Sequence, residues 1–113
     1  MIIIRNTTVV KLITFGFAQG ITLWPFIFIR KDIDKKWEYA LINHESIHIK
    51  QQKELLLVGF YVLYIAWFLI DFFFHWDFRR AYVSIPFEME AFSNQFEKEY
   101  LSERKRFQWI TYI

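Results

Sequence analysis

One α+β domain, mainly helical, is the fold class that this 113-residue sequence predicts, and three observations predict it. β-branched and aromatic runs cut by glycine and proline fill the N-terminal third. From about Glu38 the apolar positions recur at helical spacing. Sixteen consecutive uncharged residues then run from Leu55 to Ile70, and Phe72-Phe73-Phe74 follows beyond Asp71.

In chain order, Thr7 to Phe17 and Ile21 to Arg30 are rich in residues that suit a pleated surface, and Ala18-Gln19-Gly20 suits a short connection, so a β-hairpin is expected. Pro25 cannot donate to a ladder and places the second strand on an edge. The competing view takes the uncharged stretch Leu12 to Ile29 as an apolar membrane segment interrupted by Gly16, Gly20 and Pro25. Lys31 to Lys36 forms a charged turn before the first long helix. The run from Leu55 is long enough to enter or span a bilayer, either continuing that helix or following it, and Tyr61, Tyr64, Trp67 and Trp76 fit an approach to an interface. Ser84 and Pro86 mark a further helix start, with Phe87 to about Arg106 helical.

Composition narrows the function classes. The chain is 55% hydrophobic and 22% aromatic with fourteen Phe, more apolar surface than a domain of this size hides inside, so contact with a lipid bilayer is expected. Formal charge is only +2 and the basic residues are scattered, which excludes the electrostatic footprint of a nucleic-acid binder. Arg104-Lys105-Arg106, followed by Phe107, Trp109 and Tyr112, has the character of a juxtamembrane anchor. Cysteine is absent, so a bound metal must be held by nitrogen and oxygen.

The motif that carries chemistry is His44-Glu45-Ser46-Ile47-His48, an HExxH pattern. Four residues of helix is slightly more than one turn, so both imidazoles leave the same face and can share a Zn2+ ion. Glu45 follows the first ligand and is placed to take a proton from a water that the metal activates; its expected role is general base. Leu41, Gln51, Gln52 and Leu55 share the histidine side, while Ser46, Lys50 and Lys53 lie opposite, so that side faces inward.

A catalytic zinc usually takes three protein ligands, and His75, Asp71, Glu88 and Glu90 are the candidates for the third. On an unbroken helix His75 would lie about 45 Å from His44, so it and Asp71 return only if the chain folds back, near Gly59 for instance. On the wheel through the last helix, Met89, Phe92, Phe96 and Tyr100 form an apolar stripe flanked by Glu88, and Glu90 points away. Glu88 is therefore the better-aimed carboxylate. Glu90 suits dipole compensation at a helix start, or the orientation of a ligating histidine. Return from His48 to Glu88 is possible if the long helix ends near Ile70, whereas a straight run to His75 leaves a chain that must be nearly extended, so a bend or an earlier end is favoured.

HExxH followed by Glu88-Met89-Glu90-Ala91 resembles the gluzincin type of zinc metallopeptidase, in which a glutamate in an ExxA setting on a later helix completes the site. Leu23-Trp24-Pro25-Phe26, the segment from Asn43 to Gln52, and Ile85 to Ala91 with Tyr100-Leu101 resemble a group of short uncharacterised bacterial membrane proteins bearing HExxH. These resemblances imply a metallopeptidase-like site with His44, His48 and Glu88 on zinc, a peptide or protein substrate, and the bacterial inner membrane as location. Membrane gluzincins often place an Asp after ExxA; this chain has Phe92 there, leaving Glu90 or Asn94 for that supporting place. Oxyanion stabilisation would fall to Tyr82, Tyr100 or Arg79.

The expected function is thus a small membrane-associated zinc-dependent hydrolase, a peptidase using a metal-activated water. The alternatives are a non-catalytic adaptor or assembly protein in which zinc ties two helices together, and a metal-free helical membrane protein.

Overall fold

In the computed structural model, residues 2–16 and 18–113 are described, and they form an α+β, mainly helical unit. Strand β1 (Ile2–Arg5) leads into helix α1 (Thr7–Thr14), then β2 (Gly20–Leu23), β3 (Phe26–Ile29), α2 (Lys35–Glu54) and α3 (Val58–His75). Helices α4 (Phe78–Ser84), α5 (Pro86–Asn94) and α6 (Tyr100–Glu103) follow, and a 3-10 turn over Gln108–Tyr112 ends the chain.

The expected first strand, Thr7 to Phe17, is instead α1 as far as Thr14. Asn6 accepts a hydrogen bond from the Val9 N–H at 3.1 Å and so caps a helix. Burial of Val10 then overrides the β preference of its neighbours. Phe17 lies outside the described residues. Ile21 to Arg30 is not one strand but the greater part of a hairpin, with Trp24 and Pro25 in the turn between β2 and β3. The sheet order is β1-β3-β2, β3 pairing parallel with β1 and antiparallel with β2. The strand after Pro25 is therefore central and β2 is an edge, because Pro25 itself stays in the turn and its missing N–H interrupts no ladder. These strands also dispose of a helix over residues 12–29.

Alternation in β3 is clean: Ile27 and Ile29 are fully buried and meet Ile49 on α2, with Ile3, Leu41 and Ile42 at the margin. This layer holds the HExxH helix against the sheet. A second core, built from Phe60, Ile85, Phe87 and Trp109, joins α3 to α5 and the C-terminal turn.

Between α2 and α3 the chain reverses through leucines. Leu57 N–H donates to Gln52 O at 2.8 Å and Leu56 N–H to Lys53 O at 3.3 Å, the paired bonds of a Schellman stop, with Leu56 at φ 54° where glycine is usual. Leu57 follows at φ 64°, and Val58 N–H closes on Leu56 O at 2.7 Å in a γ-turn. The break falls just before Gly59, and it lets α3 turn back over the site. His75 and Asp71 nonetheless remain on α3, outside the metal-ligand cluster found among the described residues.

After Trp76 in the left-handed region, Asp77 caps α4, which doubles back so that Phe78 stacks on Phe72 at 4.7 Å. The expected single helix from Phe87 to Arg106 is broken after Asn94 and resumes only at Tyr100. The orientation of its first part also differs from the wheel: Met89, Phe92 and Phe96 are exposed and both Glu88 and Glu90 are buried. Paired acids, not the apolar stripe, face the interior here, because α2 presents histidine and glutamine, and Arg104 after α6 a buried cation, to receive them. Ser46 is likewise buried, not outward. The C-terminal cluster is not a simple anchor: the Arg104 side chain is 3% exposed and Trp109 belongs to the core.

Leu56 is 84% exposed, so its side chain contributes little packing while its backbone is held in a region that costs a non-glycine residue about 1–2 kcal/mol. Leu56→Gly is expected to raise stability by about 1 kcal/mol, read from denaturant midpoints in detergent. A lower midpoint would show that the α2–α3 corner is not held in this conformation.

Candidate metal centre

Helical spacing alone stacks His44 and His48, whose ring centroids lie 4.9 Å apart on the inward side of α2. Proline at its first turn starts α5 and delivers Glu88 to the same point. Glu88 Oε1 lies 2.9 Å from His44 Nε2 and 3.0 Å from His48 Nε2. Tetrahedral ligands about 2.0–2.1 Å from a zinc ion stand about 3.3 Å apart, so these atoms need to part by only a few tenths of an ångström to admit one. His44, His48 and Glu88 could hold a metal ion, and all three are buried.

Hydrogen bonding settles which ring nitrogen of His48 faces the site. Gln51 uses its amide N–H groups on Phe87 O at 3.1 Å and Glu90 Oε1 at 2.9 Å, so its Oε1 must be the atom 2.7 Å from His48 Nδ1. Nδ1–H therefore donates to Gln51, and Nε2 is left to meet Glu88 and a cation. His44 Nδ1 is matched in the same way with Gln95 Oε1 at 2.8 Å. Two imidazole lone pairs aimed at one carboxylate oxygen repel unless a positive charge lies among them, a place that either a proton or a metal cation can fill.

Where a proton plays that part, the pKa values respond. Burial alone would lower His48, but the charge and hydrogen bond of Glu88, with Glu45 adding, raise it from 6.5 to about 9. Burial would raise Glu88, yet His48 and His44 outweigh it and hold the carboxyl well below its usual range. The second Glu88 oxygen accepts from Tyr64 OH at 2.6 Å.

A further layer of charge supports Glu90, which is fully buried and so does not serve as surface dipole compensation. It accepts from Tyr100 OH at 2.6 Å and from Arg104 Nε at 2.6 Å, and Arg104 also forks onto Glu54 at 2.9 and 3.0 Å. Burial would lower Arg104, but the two carboxylates raise it. Glu90 thus acts on His48 through Gln51, and the expectation that it orients a ligand is the one the geometry matches. Asn94 instead donates to the Glu90 carbonyl and to Tyr112. Phe92 packs edge-on to His44 at 4.4 Å.

Glu45 sits between two cavities, about 370 Å³ beside Arg79 and Gln95 and about 620 Å³ beside Tyr61 and Ile65. Its Oε2 accepts from Thr22 OH at 2.5 Å. Gly20 on β2 comes so close that a Cβ there would lie 3.2 Å from Glu45 Oε1, Leu41 Cδ1 and the Phe28 carbonyl, so a side chain would press on Glu45. Of the residues expected to stabilise an oxyanion, Tyr100 is committed to Glu90, Arg79 lines only the smaller cavity, and Tyr82 lines both beside Glu45. Burial first, then the charges of Glu88 and Glu45 and a hydrogen bond to Glu88, raise the Tyr82 phenol, so it stays protonated and engaged with that carboxylate.

Tyr64, Thr22, Gln95, Glu54 and the inward role of Arg104 were missed. Tyr64 carried a signal, because a tyrosine hydroxyl within a packed apolar helix needs a partner. The other four are joined only by contacts distant in sequence. Comparisons with protein-family models, curated proteins and solved structures found no match.

A metal competes with the proton on His48 Nε2, which is held up to about pH 9, whereas the ionised Glu88 has none to lose. The proton-mediated contribution to metal-free stability is full below about 6.5 and fades as pH rises through about 9; apparent metal affinity moves the other way, rising up to about pH 9. Calorimetry of zinc uptake at pH 7 in two buffers of different ionisation enthalpy should report about one proton released per ion, and none would contradict the His48–Glu88 pairing.

Arg104→Met leaves Glu54 and Glu90 buried without their cation and is expected to cost about 3–5 kcal/mol in chemical denaturation. A loss below about 1 kcal/mol would mean that the triad does not hold the C-terminal segment to α2.

Proposed function

We propose that this chain is a small zinc-dependent peptidase of the gluzincin type, seated in a bilayer. One observation carries the reading: His44, His48 and Glu88 converge on a single point with Glu45 beside it, facing open cavities on either hand. Two imidazole nitrogens, one carboxylate oxygen and room for a fourth group form the donor set of hydrolytic zinc sites, and a cysteine-free chain offers no sulfur alternative.

Zinc bound there supplies Lewis acidity, bringing a water's pKa toward neutrality and polarising the scissile carbonyl. Glu45 accepts one proton as the water oxygen adds to the carbonyl carbon. It returns that proton to the amide nitrogen as the C–N bond breaks, leaving a carboxylate and an amine. Thr22 OH fixes one Glu45 oxygen, and the Tyr82 phenol, which hydrogen-bonds Glu88 in the metal-free site, would turn from it to donate to the developing oxyanion. Strand β2, one edge of the sheet, leaves its Gly20 end available to pair with an extended peptide.

The bilayer part of the reading rests on α3. Val58, Val62, Ile65, Leu69 and Phe73 recur at helical spacing and are 49–72% exposed, an apolar stripe along eighteen residues, or about 27 Å. Exposed Phe74, Trp76 and Phe78 extend it at the far end.

Purified protein should carry one zinc per chain, retained by Glu45→Gln and lost by Glu88→Ala. Hydrolysis of a fluorogenic peptide mixture should fall at least a hundredfold in Glu45→Gln. Zinc retained by a wild type that hydrolyses nothing would favour zinc as a mere tie between α2 and α5, hence an adaptor; full hydrolysis by Glu45→Gln would remove Glu45 as the base, and loss of zinc from Glu90→Ala alone would move the ligand assignment to Glu90.

A further inference from the structure

The two cavities flanking Glu45 differ in character, and the larger one opens where α3 is most apolar. Its floor is Glu45, His48 and Glu88. Its mouth is Ile13 and Phe15 at the end of α1, facing Tyr61 and Ile65 on α3. Ile13 is 44% exposed, Phe15 95% and Ile65 59%, so the rim leaves apolar area uncovered. The smaller cavity, across Glu45, is bordered by Arg79, Gln95 and Gln19.

Ile65 belongs both to this rim and to the outward stripe of α3, so the mouth lies on the surface that the bilayer reading assigns to lipid. At about 620 Å³ the cavity falls within the range of about 300–1,000 Å³ usual for ligand sites. The surface it exposes is mostly apolar, and Phe60 supplies the back wall. Its polar groups are largely paired already, Thr14 with the Val10 carbonyl, Thr22 with Glu45, Gln52 and Tyr61 with the Thr22 carbonyl and Tyr64 with Glu88. A polar side chain entering here loses its water without gaining partners, whereas a large apolar one loses nothing.

Resting on the peptidase reading, we propose that the substrate is an extended apolar peptide segment that enters laterally from the bilayer between α1 and α3. The large side chain next to its scissile bond fills the cavity walled by Ile13, Phe15 and Ile65. The backbone of β2 lies along the same cavity. Gln52 Nε2 and Tyr61 OH cover the Thr22 carbonyl at 3.1 and 3.4 Å, and Gln52 Oε1 accepts from the Trp24 N–H. Pairing is thereby confined to the Gly20 end of the strand, next to Glu45, and the apolar side chain rather than a long ladder selects the substrate.

The test uses full-length protein in detergent, with two decapeptides that differ only at the centre, Leu-Phe-Leu or Ser-Asn-Ser. A photoreactive benzoylphenylalanine analogue of the first, irradiated with Glu45→Gln protein, should label the α1 and α3 walls. Labelling should fall at least tenfold in Ile13→Glu and Ile65→Glu, whose side chains are partly exposed, but not in Leu69→Glu on the outward side of α3. Zinc-loaded wild type should hydrolyse the apolar peptide at least tenfold faster in kcat/KM than the polar one. Hydrolysis without this preference, or labelling beside Trp37 and Phe96, overturns the inference and leaves the peptidase reading standing. Labelling of the predicted walls with no hydrolysis of either peptide overturns the peptidase reading and keeps the cavity as an apolar-peptide site.

Discussion

The buried carboxylate of Glu88 is the constraint around which the rest of the molecule is arranged. It receives both HExxH histidines on one oxygen and Tyr64 on the other, so α2, α3 and α5 meet at a single side chain. A carboxylate shut away from water is costly unless positive charge and donors surround it. Every nearby element contributes to that surround, which is why the site and the tertiary fold cannot be separated. A cation at this point would complete the charge balance and also be the means of chemistry.

Support continues outward in alternating charge. His48 leans on Gln51, Gln51 on Glu90, and Glu90 on Arg104, which in turn holds Glu54 near the end of α2. Each step hands a fixed orientation to the next, so the ring nitrogen offered to a metal is determined by a residue more than fifty positions away. Such a chain of buried charges is a poor source of net stability and a good source of specificity, since each alternative packing strands an ion. The C-terminal segment is thus structural: Phe107 N–H bonds Glu54 Oε2 at 2.6 Å, and Trp109 fills the core behind Phe87.

The left-handed corner at Leu56 and Leu57 has a functional consequence. Had α2 continued straight, the apolar helix would have left the histidines behind. By reversing, the chain lays one side of α3 over the metal ligands and keeps the other side apolar and exposed. A small domain then presents one side of this helix to its His-His-Glu cluster and leaves an apolar stripe exposed on the other.

Sequence alone determined what local periodicity can determine. HExxH put two imidazoles and Glu45 in register on one helix, and the absence of cysteine limited the donors, but the wheel that favoured Glu88 over Glu90 had the wrong side of α5 inward. The mixed, mainly helical class was readable too. Tertiary structure decided the rest: that Asn6 caps a helix where β-branched residues favoured a strand, that β3 is central, and that a leucine takes a glycine's place at the α2 stop. It also decided that Glu90 turns inward to Arg104 while Met89 and Phe92 turn out. Local preferences of about 2 kcal/mol or less were overruled by burial of Val10, Ile27 and Ile29 in α1 and β3, and by the need of the buried Glu88 and Glu90 carboxylates for partners distant along the chain.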